Sequence, residues 1–455
     1  MRNTNFDRRG FLVSGAAAGA AHMLRRPWLR EERPNLLVIT SDQQHWEAMG
    51  YEDPFFRTPA CDALAAEAAV FRQSFCTTPQ CSPSRSSMLC GSYPHKTGVM
   101  NNHGSPGDEG LKLPTLGSYL QRAGYHTVYH GKWHLGNTEV ALEGWDSFRP
   151  TSRPADRLVA RMTRDFLSRA KEVGKPFALF AMFLEPHGIQ GFSPSKNPSV
   201  PDDVKLDRSW HEENFDDKPA VQREFLDRAG VKRLVGESAD VWREYRASYR
   251  ERVASFDRFV GSLLKALRDN GLWENTVIVV TSDHGDMDTH HRLVFKGPFM
   301  YEHLVRIPTL IRIPPGLGGR RLDLEHYAWV NVDLVPTLLE AAGADPIDCD
   351  GRSLLPLLRG EDIEPRPFVV AQFHGKGSWV HPIRMLRTTR YKYNRDFRGI
   401  EELYDLQTDP VELRNLATST EHAKVKARLA NQLMDWMKVQ GDPFLKLDPE
   451  SEEAR

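Results

Sequence analysis

The sequence predicts a doubly wound α/β fold with a smaller C-terminal part, and three observations carry that expectation. Short apolar runs alternate with helical stretches, several of the runs stop at polar residues, and the pattern changes after Arg359. Residues 35–40 (Asn-Leu-Leu-Val-Ile-Thr) form an unbroken apolar run, as a parallel strand covered on both faces does, and it ends in Ser41-Asp42-Gln43-Gln44. Thr58 and Pro59 offer a cap and a first turn for a helix over 60–70, and 115–123 reads as a second helix closed by Gly124. Strand-like runs follow at 126–129, 177–184, 276–281 and 309–313, interleaved with helices near 239–270 and 333–342. Between 188 and 236 the chain turns polar, with several prolines and no clear period, which predicts a long excursion beside the site. Beyond Arg359, segments 368–372 and 383–393 read as antiparallel strands and 421–438 as a terminal helix, so a main body over 31–360 precedes a smaller α+β subdomain over 361–455.

Composition bounds the function. The 455 residues are 40% hydrophobic and 27% charged, as in a folded, water-soluble body. A net charge of −1 offers no overall field to attract nucleic acid or an anionic membrane, so anion recognition has to be local. Residues 1–30 differ: Arg8 and Arg9 precede an apolar, Ala- and Gly-rich run over 11–23, which resembles a twin-arginine export signal. That run is shorter than the roughly 20 residues a stable membrane span needs, and the expected location is periplasmic or extracellular. Five cysteines, at 61, 76, 81, 90 and 349, leave one over after any pairing, and both disulfides and buried thiols are open to the other four if Cys81 is used in chemistry.

The sharpest chemical signal is Cys81-Ser82-Pro83-Ser84-Arg85, followed by Ser86-Ser87-Met88-Leu89-Cys90-Gly91. Pro83 suits the first turn of a helix, which would put position 81 at a helix amino terminus where backbone N–H groups and the dipole favour an anion. Around it, in order, stand Ser41-Asp42-Gln43, Tyr93-Pro94-His95-Lys96-Thr97-Gly98-Val99, Gly131-Lys132-Trp133-His134-Leu135-Gly136 and Glu185-Pro186-His187. Ser282-Asp283-His284-Gly285-Asp286, Lys296, Tyr301-Glu302 and Glu402-Leu403-Tyr404-Asp405-Leu406 complete the series.

This ordered set resembles the type I, formylglycine-dependent sulfatases of the alkaline phosphatase superfamily, from 35 to about 417. The resemblance implies an alkaline-phosphatase-like sheet, a sulfuric ester hydrolase, and a Cys81 that a formylglycine-generating maturation enzyme oxidises. Twin-arginine export of an already folded chain would leave time for that step. The implied metal ligands are Asp42, Gln43, Asp283 and His284 with residue 81 itself. Arg85 and Lys132 would hold the nucleophile and the sulfate, and Lys296 would meet the sulfate or the leaving oxygen. His134 would be the base for the second hydroxyl of hydrated formylglycine, and His187 the acid for the departing alcohol. The implied substrate is a sulfated small molecule or glycan. His290, His291, Asp288, His95 and Lys96 are further candidates for bordering it.

Two departures matter. Asp42-Gln43 and Asp283-His284 replace pairs richer in carboxylate, so the expected divalent cation is calcium with manganese or zinc admitted. The same pairs also resemble phosphonate monoester and phosphodiester hydrolases of the superfamily. After His187 stands Gly188-Ile189-Gln190 where relatives carry a proline, which puts leaving-group recognition in question. A sulfated-glycan-binding pseudoenzyme would be expected to lack a nucleophile, ligand or base, and this sequence retains all of them.

Overall fold

The computed structural model describes residues 33–151, 154–228 and 231–449, so the export-signal expectation over 1–30 lies outside the described residues. β1 (Asn35–Asp42) is buried along its whole length. Its alternate residues feed two separate cores, Leu36 and Val38 on one face and Leu37 and Ile39 on the other, which accounts for the unbroken apolar run. There follow α1 (Pro59–Ala65), β2 (Ala69–Phe75), α2 (Cys81–Cys90), α3 (Leu116–Arg122), β3 (His126–Lys132), β4 (Ser147–Thr151), α4 (Asp156–Leu167) and β5 (Phe177–Pro186). Then come α5 (Ala239–Asp269), β6 (Thr276–Ser282), β7 (Thr309–Arg312), β8 (Leu322–Val330) and α6 (Leu334–Ala341). The eight strands lie in the order β4-β3-β5-β1-β6-β7-β2-β8. β7 is antiparallel to both neighbours and the other pairings are parallel, so the sheet is mainly parallel and doubly wound.

A second sheet, β12-β11-β10-β9, is antiparallel throughout and built from β9 (Val369–Lys376), β10 (Trp379–Arg387), β11 (Tyr391–Asp396) and β12 (Glu401–Asp405). The terminal helix α7 (Ala423–Gln440) contributes Leu429, Leu433 and Met437, four residues apart on one face, to the core beneath this sheet.

Three sequence expectations need correction. The helix over 60–70 stops at Ala65, and Ala69–Phe75 is a strand between β7 and β8. Its Ala-rich start has helical preference, but Ala69 and Phe71 pack into one core and Val70 into the other, and that burial decides the outcome. The single strand over 383–393 is a hairpin, with β10 and β11 paired from Ile383↔Asp396 to Arg387↔Lys392. The excursion over 188–236 is not merely polar: Ile189, Phe192, Phe215 and Phe225 join Trp242, Tyr245 and Tyr249 of α5 in a third core.

The parallel strands bring their carboxyl ends to one edge, where ligands gather in such sheets. β1 ends at Asp42, β3 at Lys132, β5 just before His187 and β6 just before Asp283. Gly131, at φ +106°, lets β3 approach β5 beside that edge, since a Cβ there would lie 2.0 Å from the Met182 carbonyl oxygen. Among the described residues no helix is long and apolar enough to cross a membrane.

Candidate active site

Cys81 is the first residue of α2, after an extended Gln80, so the helix amino terminus faces the strand edge as Pro83 led us to expect. Its Sγ lies 3.2 Å from His284 Nε2, accepts from Lys296 Nζ at 3.0 Å and stands 3.7 Å from Asp42 Oδ1. His134 and His187 also stand close enough to influence it. Burial alone would push the Cys81 thiol up, but the charges of Lys132 and Lys296 lead the groups that outweigh it and hold the thiol well below its ordinary value. Position 81 therefore sits in a cup built for an anion.

Asp42 is treated likewise. Burial and the neighbouring sulfur would raise it, yet Lys132, His187 and Lys296 hold it below the usual carboxylate range. Lys132 Nζ donates to Asp42 Oδ2 in a close contact. Arg85 gives Nε to Asp283 Oδ2 at 2.9 Å and Nη1 to the Lys132 carbonyl at 2.9 Å, which ties the ends of β6 and β3 to α2. Its Nη2 stands 3.6 Å from Asp42 Oδ2 and has no hydrogen-bond partner.

The donor set suits a divalent cation. Asp42, Cys81, Asp283 and His284 are buried and present ligand atoms within 4.8 Å of one another. His284 donates Nδ1–H to the Gly285 carbonyl at 2.9 Å, which leaves Nε2 as the lone-pair nitrogen facing the group. The amide oxygen of Gln43 accepts from Lys296 Nζ at 2.7 Å, beside the same nitrogen. Two carboxylates, an amide oxygen and one imidazole form a mainly hard set that calcium, manganese and zinc can share.

Every residue singled out in the sequence for catalysis or metal binding thus lies in one cluster, the lysine at 296 included. The further candidates behave differently. His95 contacts Gln372 and the Gln440 carbonyl, and Lys96 contacts Asp350 and Gln440, so both brace the C-terminal part. His291 pairs with Glu213, and Asp288 and His290 face a separate cluster around His45 and His303. None of the five lines the cleft beside Cys81. That cleft, of about 720 Å³, is lined by Lys132, Trp133, His134, His187 and Gln190 among others.

Several further side chains support these groups. Gln190, in the stretch that replaces the usual proline, donates to Gln43 Oε1 at 2.9 Å, so the departure after His187 steadies the Gln43 amide. Asp286 accepts from Gln43 Nε2 at 2.6 Å and from Tyr245 at 3.1 Å. Lys376, which reaches in from the small sheet and donates to the Lys296 carbonyl at 2.8 Å, is pushed down to about 7 by burial and then by the Lys296 charge. All five cysteines are free thiols.

A family model described as Sulfatase matches residues 34–344, and one described as N-sulphoglucosamine sulphohydrolase, C-terminal, matches 290–439. The chain is 30% identical to the Delta 4,5-hexuronate-2-O-sulfatase of Bacteroides thetaiotaomicron, over 96% of this chain and 94% of that protein. It is 29% identical to an ulvan-active sulfatase of Formosa agariphila, over 92% of this chain and 83% of that one. The solved structure of a 2-O GAG sulfatase superposes with a TM-score of 0.80 at 27% identity, over 93% of this chain and 96% of that chain. A phosphonate monoester hydrolase of Agrobacterium radiobacter shares the fold, with a TM-score of 0.74 at 21% identity over 90% of this chain and 96% of that one.

Proposed function

This chain belongs to the sulfatase family and is a sulfuric ester hydrolase, and on that footing we propose that it desulfates a carbohydrate with residue 81 as nucleophile. The observation that carries the reading is the placement of Cys81, at a helix amino terminus, between cations on one side and a divalent-cation donor set on the other. Formylglycine formed from Cys81 would supply, once hydrated, one hydroxyl to attack sulfur and one to release sulfate. A divalent cation held by Asp42, Gln43, residue 81, Asp283 and His284, calcium in our reading with manganese or zinc as alternatives, supplies positive charge against the nucleophile and the sulfate.

The chain's own residues do the rest. Lys132 and Lys296 neutralise sulfate charge from two sides of position 81, and Arg85 locks Asp283 and the Lys132 backbone so that both stay aimed. His187, at the cleft wall, donates a proton to the leaving oxygen. His134, also on the cleft and in reach of position 81, takes the proton whose loss lets sulfate depart. The cleft is within the size range of small-molecule sites and is polar and aromatic where it meets these groups. Together with relatives named for hexuronate and ulvan substrates, that supports a sulfated sugar. We further propose that a formylglycine-generating enzyme matures the chain and that residues 1–30 direct its export to the periplasm or beyond.

The test is a desulfation screen on defined sulfated mono- and disaccharides, with an aryl sulfate and an aryl phosphonate monoester alongside. Sulfate released from at least one sugar, faster than phosphonate is hydrolysed, is expected. Faster turnover of the phosphonate than of every sulfate would overturn the reading in favour of the phosphonate hydrolases that share this fold.

A further inference from the structure

The two loops that carry the active-site donors meet a second time behind it. His45 lies two residues beyond Gln43, and Asp288 four beyond His284. Gly285 lets the second loop lie flat against the turn at Glu302–Val305, because a Cβ there would stand 1.8 Å from the His303 carbonyl oxygen. At this junction His45, Glu47 and His303 present ligand atoms that all lie within 4.8 Å of one another. His303 Nε2 is already 3.0 Å from Glu47 Oε2.

An ordinary ion pair accounts for Glu47 and His303 but not for His45. That ring is fully buried, stacked on Tyr249 and edge-on to Phe56, and neither of its nitrogens has a hydrogen-bond partner. Leaving both polar atoms of a buried ring unsatisfied is costly unless something outside the protein chain meets them. Asp288 Oδ2, which also lacks a hydrogen bond, stands 3.4 Å from His45 Nε2, with Arg246 Nη1 3.3 Å from the same oxygen. A carboxylate behind one imidazole nitrogen is the usual support for a histidine whose other nitrogen binds a metal.

We propose that His45, Glu47 and His303 form a second metal site, separate from the active-site cation, whose donor chemistry suits zinc. Two imidazoles and one carboxylate, with a fourth position for water, make a zinc set rather than a calcium one. Bonds of about 2.0–2.2 Å in a tetrahedron need ligand atoms roughly 3.5 Å apart, so atoms that already lie within 4.8 Å of one another close by about 1.3 Å at most when the ion binds. An entry path exists: Glu47 and His303, with Asp207 and His290, line a cleft of about 630 Å³. His290 stacks on His303 with ring centroids 3.5 Å apart and stands beside the opening. The ion would staple the loop after β1 to the segment after β6 and thereby hold Gln43 and His284 in register.

The experiment is zinc titration of the full chain after metal stripping, followed by elemental analysis of dialysed protein. Wild type should retain one equivalent more than Glu47→Gln or His303→Gln, and its cobalt form should show tetrahedral absorption that both variants lack. Glu47 is the safer substitution because its side chain is 30% exposed, and circular dichroism confirms the fold of each variant. Equal metal content in wild type and a folded Glu47→Gln protein, with matching cobalt spectra, would reduce the cluster to a metal-free histidine stack.

Discussion

Arg384, under the small sheet, places Nε and Nη2 on the two oxygens of Asp442 at 2.6 and 2.7 Å, and Arg395 does the same to Asp448 at 2.7 and 2.8 Å. At the carboxyl edge of the large sheet Arg85 is just as buried, yet it engages Asp283 through Nε alone and leaves Nη2 without a hydrogen-bond partner. Beside it, Lys296 shares one ammonium among an amide oxygen, a sulfur and an imidazole nitrogen. Closed, two-pronged pairs hold a fold together and have nothing left to offer a ligand. Convergent groups with unfilled valences are arranged for something that arrives. Burial of charge therefore does not distinguish the two regions, and completeness of pairing does.

The largest test of this contrast is at the open end. Cys81→Ala should lower sulfate release by roughly 10³-fold or more while the melting temperature stays near that of the parent, because the residue serves chemistry rather than packing. Peptide mass spectrometry of active protein should find an aldehyde at 81; a fully active preparation with only unmodified cysteine there would defeat the mechanism. Next in size, chelation should remove nearly all activity, and added calcium or manganese should restore it, with elemental analysis following the metal. Protein verified as metal-free that kept its full rate would break the assignment of Asp42, Gln43, Asp283 and His284.

The closed end predicts the reverse pattern. Arg384→Ala strands the Asp442 carboxylate in the core and should cost about 3–5 kcal/mol of stability in denaturant unfolding, with little loss of rate per folded molecule. Burial would raise Asp442, but the Arg384 charge and hydrogen bond hold it below its ordinary value. A depressed carboxylate stabilises the fold above its unfolded pKa near 3.9 and loses that contribution as pH falls through the lower folded value, so the variant and parent should converge in stability only in strong acid. A stability difference that stayed constant down to pH 2 would show that the pair's charge is not what matters.

How much of this was legible beforehand depended on how each element announces itself. β1, β5 and β6 are buried throughout or nearly so and read as plain apolar runs. β4 and β8 are edge strands, β4 with no fully buried residue and β8 with only Leu324, Trp329 and Val330 buried, so no apolar pattern marks them. β2 was hidden by alanines that suit a helix until the sheet claims them. The residues that converge around position 81 were legible because most sit in short motifs at a strand end or in α2, and even Lys296, with no motif of its own, fell among them. His45, Glu47 and His303 were not, since 256 positions separate the ion pair and only the close approach at Gly285 unites it. Lys376 was missed for the same reason, arriving from the other sheet.

The smallest expected effect divides labour inside the open end itself. His134 and His187 both stand near residue 81 and both line the cleft, so geometry there does not separate them. Chemistry does. If His187 protonates the leaving oxygen, its loss should matter most when that oxygen is basic, as in a sugar alkoxide, where general acids contribute about 10²–10⁴-fold. An activated nitrophenyl sulfate leaves without help, and there His187→Ala should approach the parent rate. If His134 acts after the leaving group has gone, His134→Ala should turn over every ester at one slow rate set by sulfate departure. Measuring both variants on a series of sulfate esters of rising leaving-group pKa gives two slopes relative to the parent: one defect that grows with pKa, and one rate that ignores it. His187 lines the cleft wall together with Gly188 and Gln190. Equal slopes for the two variants would mean that the histidines act as one unit on a single proton, and the open end would then be less finely divided than its geometry allows.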